Sequence, residues 1–188
     1  MMKKFLMLLM VLTLSCCGTP NPHFYQPVPI QQSEMTYPKF KKTVLVKNIL
    51  LPSDVSRPQI TTIGDDDFRL KIDEFNRWGT SPSKLIQNVL RQDLSIYLPN
   101  ADVVMQTPLV KNYQYAVMIE INTFIGKLKK DAKLEATYAI LDQNGKTLES
   151  GKINESIAIE GGYDDYVMAQ SRLLSVLAAE IAADFNRL

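Results

Sequence analysis

The residue best placed for chemistry is Cys16, because the chain before it is typical of a lipid-attachment signal. Lys3 and Lys4 precede an apolar run over residues 5–12, and the small residue Ser15 stands directly before the cysteine. That run is too short to span a bilayer, and the order of basic, apolar and small residues is that of a bacterial lipoprotein signal. We therefore expect residues 1–15 to be removed. Cys16 would then carry a diacylglycerol on its sulfur and an acyl group such as palmitate on its amine.

Two other interpretations of this segment remain open. Lipid attachment at Cys17 is disfavoured, because Cys16 would then occupy the position of the small residue. An ordinary secretory signal followed by incidental cysteines would also contain these residues. Two acyl chains hold a protein stably at a bilayer, so lipidation at Cys16 predicts a membrane-anchored chain that faces the periplasm.

The rest of the chain offers little for catalysis. His23 is the single histidine and lies in a proline-rich segment, and both cysteines precede the domain. The sequence therefore predicts no positioned base with a nucleophile, and it predicts neither a thiolate metal site nor a disulfide framework. Asp65–Asp67 lack the glutamate of a calcium-binding loop, so a solvated hairpin tip explains them better. We expect no enzymatic activity, no metal and no cofactor apart from the lipid on Cys16.

Composition favours one domain on a flexible tether. The 188-residue chain has a formal net charge of +1, which includes the two signal-peptide lysines, so nucleic acid is not an expected partner. Five prolines fall between Gly18 and Phe40. Because proline removes amide donors and favours extended backbone, residues 16–40 are predicted to be the lipidated cysteine and a solvated tether. The aromatic pair Phe24-Tyr25 could dock on the domain or on a partner, or make accidental local contacts.

Residues 41–188 show patterns of both strands and helices. Strands are predicted at residues 43–51, 60–63, 68–72, 102–105, 113–121, 134–141 and 146–159. Asp142-Gln143-Asn144-Gly145 predicts a hairpin turn before the last of these strands.

Two helices complete the predicted α/β domain, which has a mixed β-sheet with both helices packed on it. Ser81 followed by Pro82 is typical of an N-cap and a first helical position. The apolar stripe of this first helix comprises Leu85, Ile86, Val89, Leu90, Leu94, Tyr97 and Leu98. Asp164-Asp165 suit the start of a second helix that runs to the C-terminus. Its buried stripe is predicted to be Val167, Leu173, Leu174, Leu177, Ile181, Phe185 and Leu188, with alanines at 178, 179, 182 and 183 for close packing.

Several segments resemble the ABC-type transport auxiliary lipoprotein family. The resembling segments are Tyr25-Gln26-Pro27, Ser56-Arg57-Pro58-Gln59-Ile60, Arg77-Trp78-Gly79-Thr80-Ser81-Pro82, Leu90 to Pro99, and Gly162-Tyr163-Asp164. Gly79 stands where the family usually has alanine, and one extra residue precedes Pro82. The resemblance covers the whole processed chain, although no single segment is a chemical signature.

The resemblance implies an α/β domain similar to the anticodon-binding-like domain at the N-terminus of TolB. It also implies a role: an outer-membrane-anchored docking collar of an ABC/MCE-type intermembrane lipid transport system that supports envelope integrity. The partners would be a mammalian-cell-entry (MCE) protein with its transporter complex, and further copies of the chain in a ring. Cys17 follows the lipidated residue where an aspartate would favour inner-membrane retention. Interface or structural candidates are Tyr25, Arg57, Pro58, Trp78 and Pro82.

Each of these residues also has a simpler explanation. Trp78 is more readily explained by packing near the start of a helix, and Arg57 by an ion pair with Asp54 or a contact to a carbonyl. A lipoprotein that activates or scaffolds another envelope machine, such as cell-wall synthesis, is the alternative function. A lipid carrier with an apolar groove between helix and sheet is a third.

Overall fold

The computed structural model describes residues 20–188, so the predicted signal peptide, Cys16 and Cys17 lie outside its range. The described chain forms eight strands and two helices. The strands are β1 (His23–Tyr25), β2 (Thr43–Val46), β3 (Gln59–Ile63), β4 (Leu70–Trp78), β5 (Asp102–Met105), β6 (Tyr115–Lys127), β7 (Asp131–Asp142) and β8 (Thr147–Ala158). The helices are α1 (Pro82–Tyr97) and α2 (Tyr163–Arg187).

The strands form two mixed sheets. The larger has the order β5-β2-β6-β7-β8, with β5, β2 and β6 parallel and the β6, β7 and β8 pairs antiparallel. The smaller has the order β1-β4-β3, in which β1 runs parallel to β4 and β3 antiparallel to it. The predicted α/β class with two helices on mixed strands is confirmed, but the single predicted sheet is divided in two.

The core lies between the larger sheet and the two helices. Alternate residues of β6, among them Val117, Ile119 and Ile121, are buried in it, as expected when successive strand side chains point to opposite faces. A second, smaller cluster of Leu45, Ala116 and Leu141 is separate from this core. The β7–β8 hairpin is confirmed, and Gly145 supplies the left-handed conformation of its turn with φ of 82°.

The helix predictions hold, with two corrections at their ends. Helix α1 begins at Pro82 as predicted, but the Ser81 side chain makes no capping bond to a backbone amide; its hydroxyl lies 3.0 Å from that of Ser83. In α2 the predicted stripe is buried from Val167 to Phe185. Leu188 is wrong as a core residue, because it follows the last helical turn and is 47% exposed.

The segment predicted to be a solvated tether instead packs on the domain from His23 onward. Strand β1 is hydrogen-bonded to β4, and the Tyr37 amide donates to the Tyr97 carbonyl oxygen over 2.7 Å. Phe40 stacks on Phe185 with ring centroids 5.3 Å apart. The domain contacts therefore begin well before the predicted boundary at residue 40.

Candidate functional site

Four of the candidate residues meet where β4 ends. Trp78, the last residue of β4, donates its amide to the Pro58 carbonyl oxygen over 2.7 Å and lies opposite Tyr25 in the sheet. The following Gly79 amide donates to the Tyr25 carbonyl oxygen over 2.8 Å. Pro82 then begins α1 four residues after Trp78. Backbone pairing therefore joins the N-terminal strand, the Arg57-Pro58 loop and the start of α1 into one corner of the domain.

Trp78 and Pro82 are packing residues of this corner. Both are buried, and with Pro27, Ile86 and Phe124 they line an apolar crevice of about 10 Å³. A cavity of that volume has room for at most about one water molecule. The side chains thus fill the space between helix and sheet, and in this conformation the crevice does not accommodate an acyl chain.

Arg57 and Pro58 are the more accessible candidates. Pro58 is exposed and Arg57 is half-buried. Within residues 20–188, Arg57 forms no ion pair with Asp54, and its buried Nε atom has no hydrogen-bond partner. Pro58 and part of Arg57 are accessible from solvent, so the Arg57-Pro58 loop is the part of this corner best able to contact a partner.

Tyr25 belongs to a small network that the sequence did not predict. Its ring lies 6.2 Å from that of Tyr163 at the start of α2, and the Tyr163 hydroxyl donates to Asp73 over 2.9 Å. Burial, and then the hydrogen bond to Asp73, raise the pKa of Tyr163 well above its ordinary value. Burial acts against ionisation of Asp73, but the amides of Asn76 and Phe75 and the Tyr163 hydroxyl outweigh it and lower the pKa of this carboxyl. The network holds β1 and β4 against the start of α2 through ring contact and a hydrogen bond.

A second feature missed from the sequence fastens residues 28–32, the N-terminal strap, over the two helices. The amides of Val28, Ile30 and Gln32 donate to Ser171, Asp93 and Tyr97 over 3.1, 2.9 and 3.0 Å. Ser175 donates to the Ile30 carbonyl oxygen and lies 2.7 Å from the Tyr97 hydroxyl oxygen. The available signal was the presence of Asp93, Ser171 and Ser175 within the apolar stripes of the two helices.

The acidic turn at residues 64–67 is held by ion pairs. Asp66 pairs with Arg69 at 3.0 Å, and Asp67 lies 3.1 Å from Lys127 and 3.8 Å from Lys130. The hydrogen bond and charge of Lys127 lower the pKa of Asp67. Across residues 20–188, histidine, cysteine and carboxylate side chains nowhere gather in a group of three or more able to hold a metal ion. No helix in that range is both long and apolar enough to cross a bilayer.

The chain matches a known family of transport auxiliary proteins. Residues 25–182 match the model of the ABC-type transport auxiliary lipoprotein component, and the chain belongs to that family. Among curated proteins, it is 25% identical to the intermembrane transport lipoprotein PqiC of Escherichia coli over 191 residues, covering 100% of both chains. The same identity and coverage relate it to PqiC of Shigella flexneri.

Solved structures agree on the fold. An uncharacterised protein superposes with a TM-score of 0.72 at 16% identity, covering 88% of this chain and 99% of its own. A protein of Xanthomonas campestris superposes with a TM-score of 0.71 at 12% identity, covering 87% of this chain and 95% of its own. The domain therefore has a fold that is already seen in solved structures.

Proposed function

We propose that this protein is the outer-membrane-anchored docking component of an intermembrane lipid transport system. Its anchor is the diacylglycerol and N-acyl lipid on Cys16, and its partners are an MCE-domain protein and the associated transporter complex. Copies of the chain assemble as a ring around the periplasmic end of that partner and support envelope integrity. The observation that carries the proposal is the family match over residues 25–182, together with similarity to PqiC along the full length.

The short spacer between anchor and domain supports a docking role. Because β1 already pairs with β4 at His23, only six residues lie between Cys16 and the domain, which makes seven residue-to-residue steps. A chain of seven such steps spans at most about 25 Å. Such a spacer keeps the domain next to its own membrane, which suits a fixed collar. The alternative function as an activator of cell-wall synthesis favours a longer tether, because the activator must reach across the periplasm.

The packing of the apolar crevice supports an adaptor over a lipid carrier. The crevice has a free volume of only about 10 Å³ and is lined by core residues such as Trp78 and Phe124. Cargo handling would therefore fall to the partner proteins, while this chain contributes binding surface. Sorting to the outer membrane is supported by Cys17, since an aspartate at that position would favour retention at the inner membrane.

Affinity purification from detergent-solubilised envelopes tests the partner. We expect an MCE-domain protein to be recovered with the chain, and cross-linking before solubilisation to yield closed homo-oligomers. Recovery of a cell-wall synthase without any MCE-domain protein would refute the proposal in favour of the activator.

The anchor has a matched pair of variants. Cys16→Ala should abolish palmitate labelling, whereas Cys17→Ala should leave labelling and co-fractionation with the outer membrane intact. Equal labelling of both variants would contradict attachment at Cys16.

A further inference from the structure

The β3–β4 hairpin ends in a group of apolar side chains that project into solvent. In its tip, residues 63–72, Phe68 is 78% exposed, Leu70 51% and Ile72 41%. Leu70 and Ile72 lie on the same face of β4, because strand side chains alternate. The Gly64 amide donates to the Arg69 carbonyl oxygen over 2.8 Å, which closes the loop. Single exposed apolar residues are ordinary, whereas several on one ordered projection mark a contact surface.

Cationic side chains surround this tip. Lys127, the last residue of β6, donates to the Asp65 carbonyl oxygen over 2.8 Å and fixes the end of β6 beside the tip. Arg69 lies 5.4 Å above the ring of Phe68. Residues 63–72 and 127–133 together carry six lysines and arginines and four aspartates, a net charge of +2, against +1 for the whole chain. Four of these cations pair with aspartates, which leaves Lys71 and Lys129 outside the ion pairs of residues 20–188. A lipid surface binds exposed aromatic and aliphatic groups that are flanked by such long cations.

The N-terminal strand directs the chain toward the same tip. Because β1 runs parallel to β4 and His23 lies opposite Asn76, the residues before His23 lead back along β4 toward Leu70. Six residue-to-residue steps along β4 lead from Asn76 to Leu70, a distance of about 20 Å. The seven steps from Cys16 to His23 span up to about 25 Å. Cys16 can therefore reach the level of the tip, so one bilayer can hold its acyl chains and meet Phe68.

We propose that the β3–β4 tip lies on the phospholipid surface in which Cys16 is anchored, with Phe68 and Leu70 among the lipid headgroups and upper acyl chains. Phe24 and Phe75, which are 65% and 39% exposed, are further exposed aromatic residues of β1 and β4. The inference rests on the proposed lipid anchor and adds an orientation to it. Two fixed points, the anchor and the tip, would stop the domain from rotating freely and would present its opposite end to the periplasm.

Tryptophan emission in vesicles tests this contact with the lipidated chain purified from membranes. The native protein has one tryptophan, Trp78, which is buried and provides the baseline. Phe68→Trp places an emitter on the tip with little change in side-chain character. Leu109→Trp is the matched control, because Leu109 is 90% exposed and lies in the loop before β6, at the strand end opposite Lys127. The vesicles contain phosphatidylethanolamine and phosphatidylglycerol, with or without bromine on the acyl chains.

We expect brominated lipid to reduce the added emission of Phe68→Trp at least about twofold and to leave Leu109→Trp unchanged, as insertion to the acyl boundary requires. Flotation with the vesicles is measured first. A protein that floats but shows no quenching at position 68 would overturn the membrane contact and leave the anchor standing. Failure to float would overturn both. Equal quenching at positions 68 and 109 would overturn the orientation. A blue shift of the emission at position 68 without bromine quenching would overturn the membrane contact and indicate that the tip packs against a second copy or another protein.

Discussion

Replacing Asp93 with asparagine should change how the stability of the domain depends on pH. Asp93 lies on the buried face of α1 and is fully enclosed, with 0% of its surface exposed. Its Oδ1 accepts the Ile30 amide of the strap at 2.9 Å, while Oδ2 has no hydrogen-bond partner within the described chain. Burial raises the pKa of Asp93 from 3.8 to about 7, and the Ile30 amide offsets part of that rise.

The direction of the effect follows from which state holds the proton. Between pH 3.8 and about 7 the folded protein keeps the Asp93 proton and the unfolded chain releases it. The free energy of unfolding contributed by Asp93 therefore falls as the pH rises through this window and levels off above pH 7. A shift of about three pKa units corresponds to at most about 4 kcal/mol. Because the strap can relax around the charged form, we expect a loss of about 2 kcal/mol between pH 5 and pH 8.

Urea unfolding of the native chain and of Asp93→Asn at pH 5, 6, 7 and 8 measures this contribution. Other carboxylates titrate in both proteins, so the difference between the two isolates Asp93. The native protein should lose stability relative to the variant as the pH rises, and the variant should be the more stable of the two at pH 8. Glu34→Gln, an exposed change just beyond the strap, serves as the control and should follow the native curve. A native-to-Asp93→Asn difference that stays constant across the range would refute the reasoning.

Two further substitutions probe packing and the strap. A Cβ atom on Gly151 would lie 2.4 Å from the ring and hydroxyl of Tyr138, so Gly151→Ala should lower the free energy of unfolding by about 1–3 kcal/mol. Each kcal/mol lost should lower the melting temperature by about 2–4 °C. An unchanged melting curve would show that the Tyr138 ring can move aside. Ser175→Ala leaves the Ile30 carbonyl and the Tyr97 hydroxyl without their shared partner. The variant should therefore lower the free energy of unfolding by about 1–3 kcal/mol and speed hydrogen exchange at the Ile30 amide. Unchanged exchange at Ile30 would mean that Ser175 does not hold the strap.

The elements that the sequence predicts well are those set by local patterns. The start of α1 follows from Pro82, whose fixed φ suits a first helical turn and which has no amide to leave unpaired. The β7–β8 hairpin follows from alternating residues on either side of a turn that Gly145 can adopt. These signals need no information about the rest of the fold.

Features that depend on distant contacts were predicted less well. Residues 43–51 look like one long strand, but β2 ends at Val46, and the chain then follows β6 through single bonds such as Leu50 N–H to the Ile119 carbonyl oxygen. The pairing of β1 with β4 in the smaller sheet joins strands more than fifty residues apart in the chain. Period and propensity describe neighbours in sequence and carry no information about such pairings.

The candidate site shows the same division. The sequence named Tyr25, Arg57, Pro58, Trp78 and Pro82 as interface or structural candidates, and the structure places them in one corner of the domain. The sequence alone does not show which of these residues pack in the core and which are accessible. In the structure Trp78 and Pro82 are buried, whereas the Arg57-Pro58 loop is accessible. The hydrogen bond from Tyr163 to Asp73 spans 90 residues, and nothing in either local sequence predicts it.

The prediction of a solvated tether was wrong from His23 onward, and the positions of its prolines explain why. Proline density favours extended backbone, but an extended chain can be solvated or bound, and composition does not distinguish the two. In the strap the amides that donate to the helices belong to Val28, Ile30 and Gln32, which are every second residue. Pro27 directly precedes the first of these donors, and Pro29 lies between the first and the second. Because successive amides of an extended chain point to opposite sides, each of these prolines stands where no donor is needed. In this segment prolines alternate with residues whose amides donate to polar side chains on two helices. Such alternation thus indicates a segment that docks on the domain rather than one that is disordered.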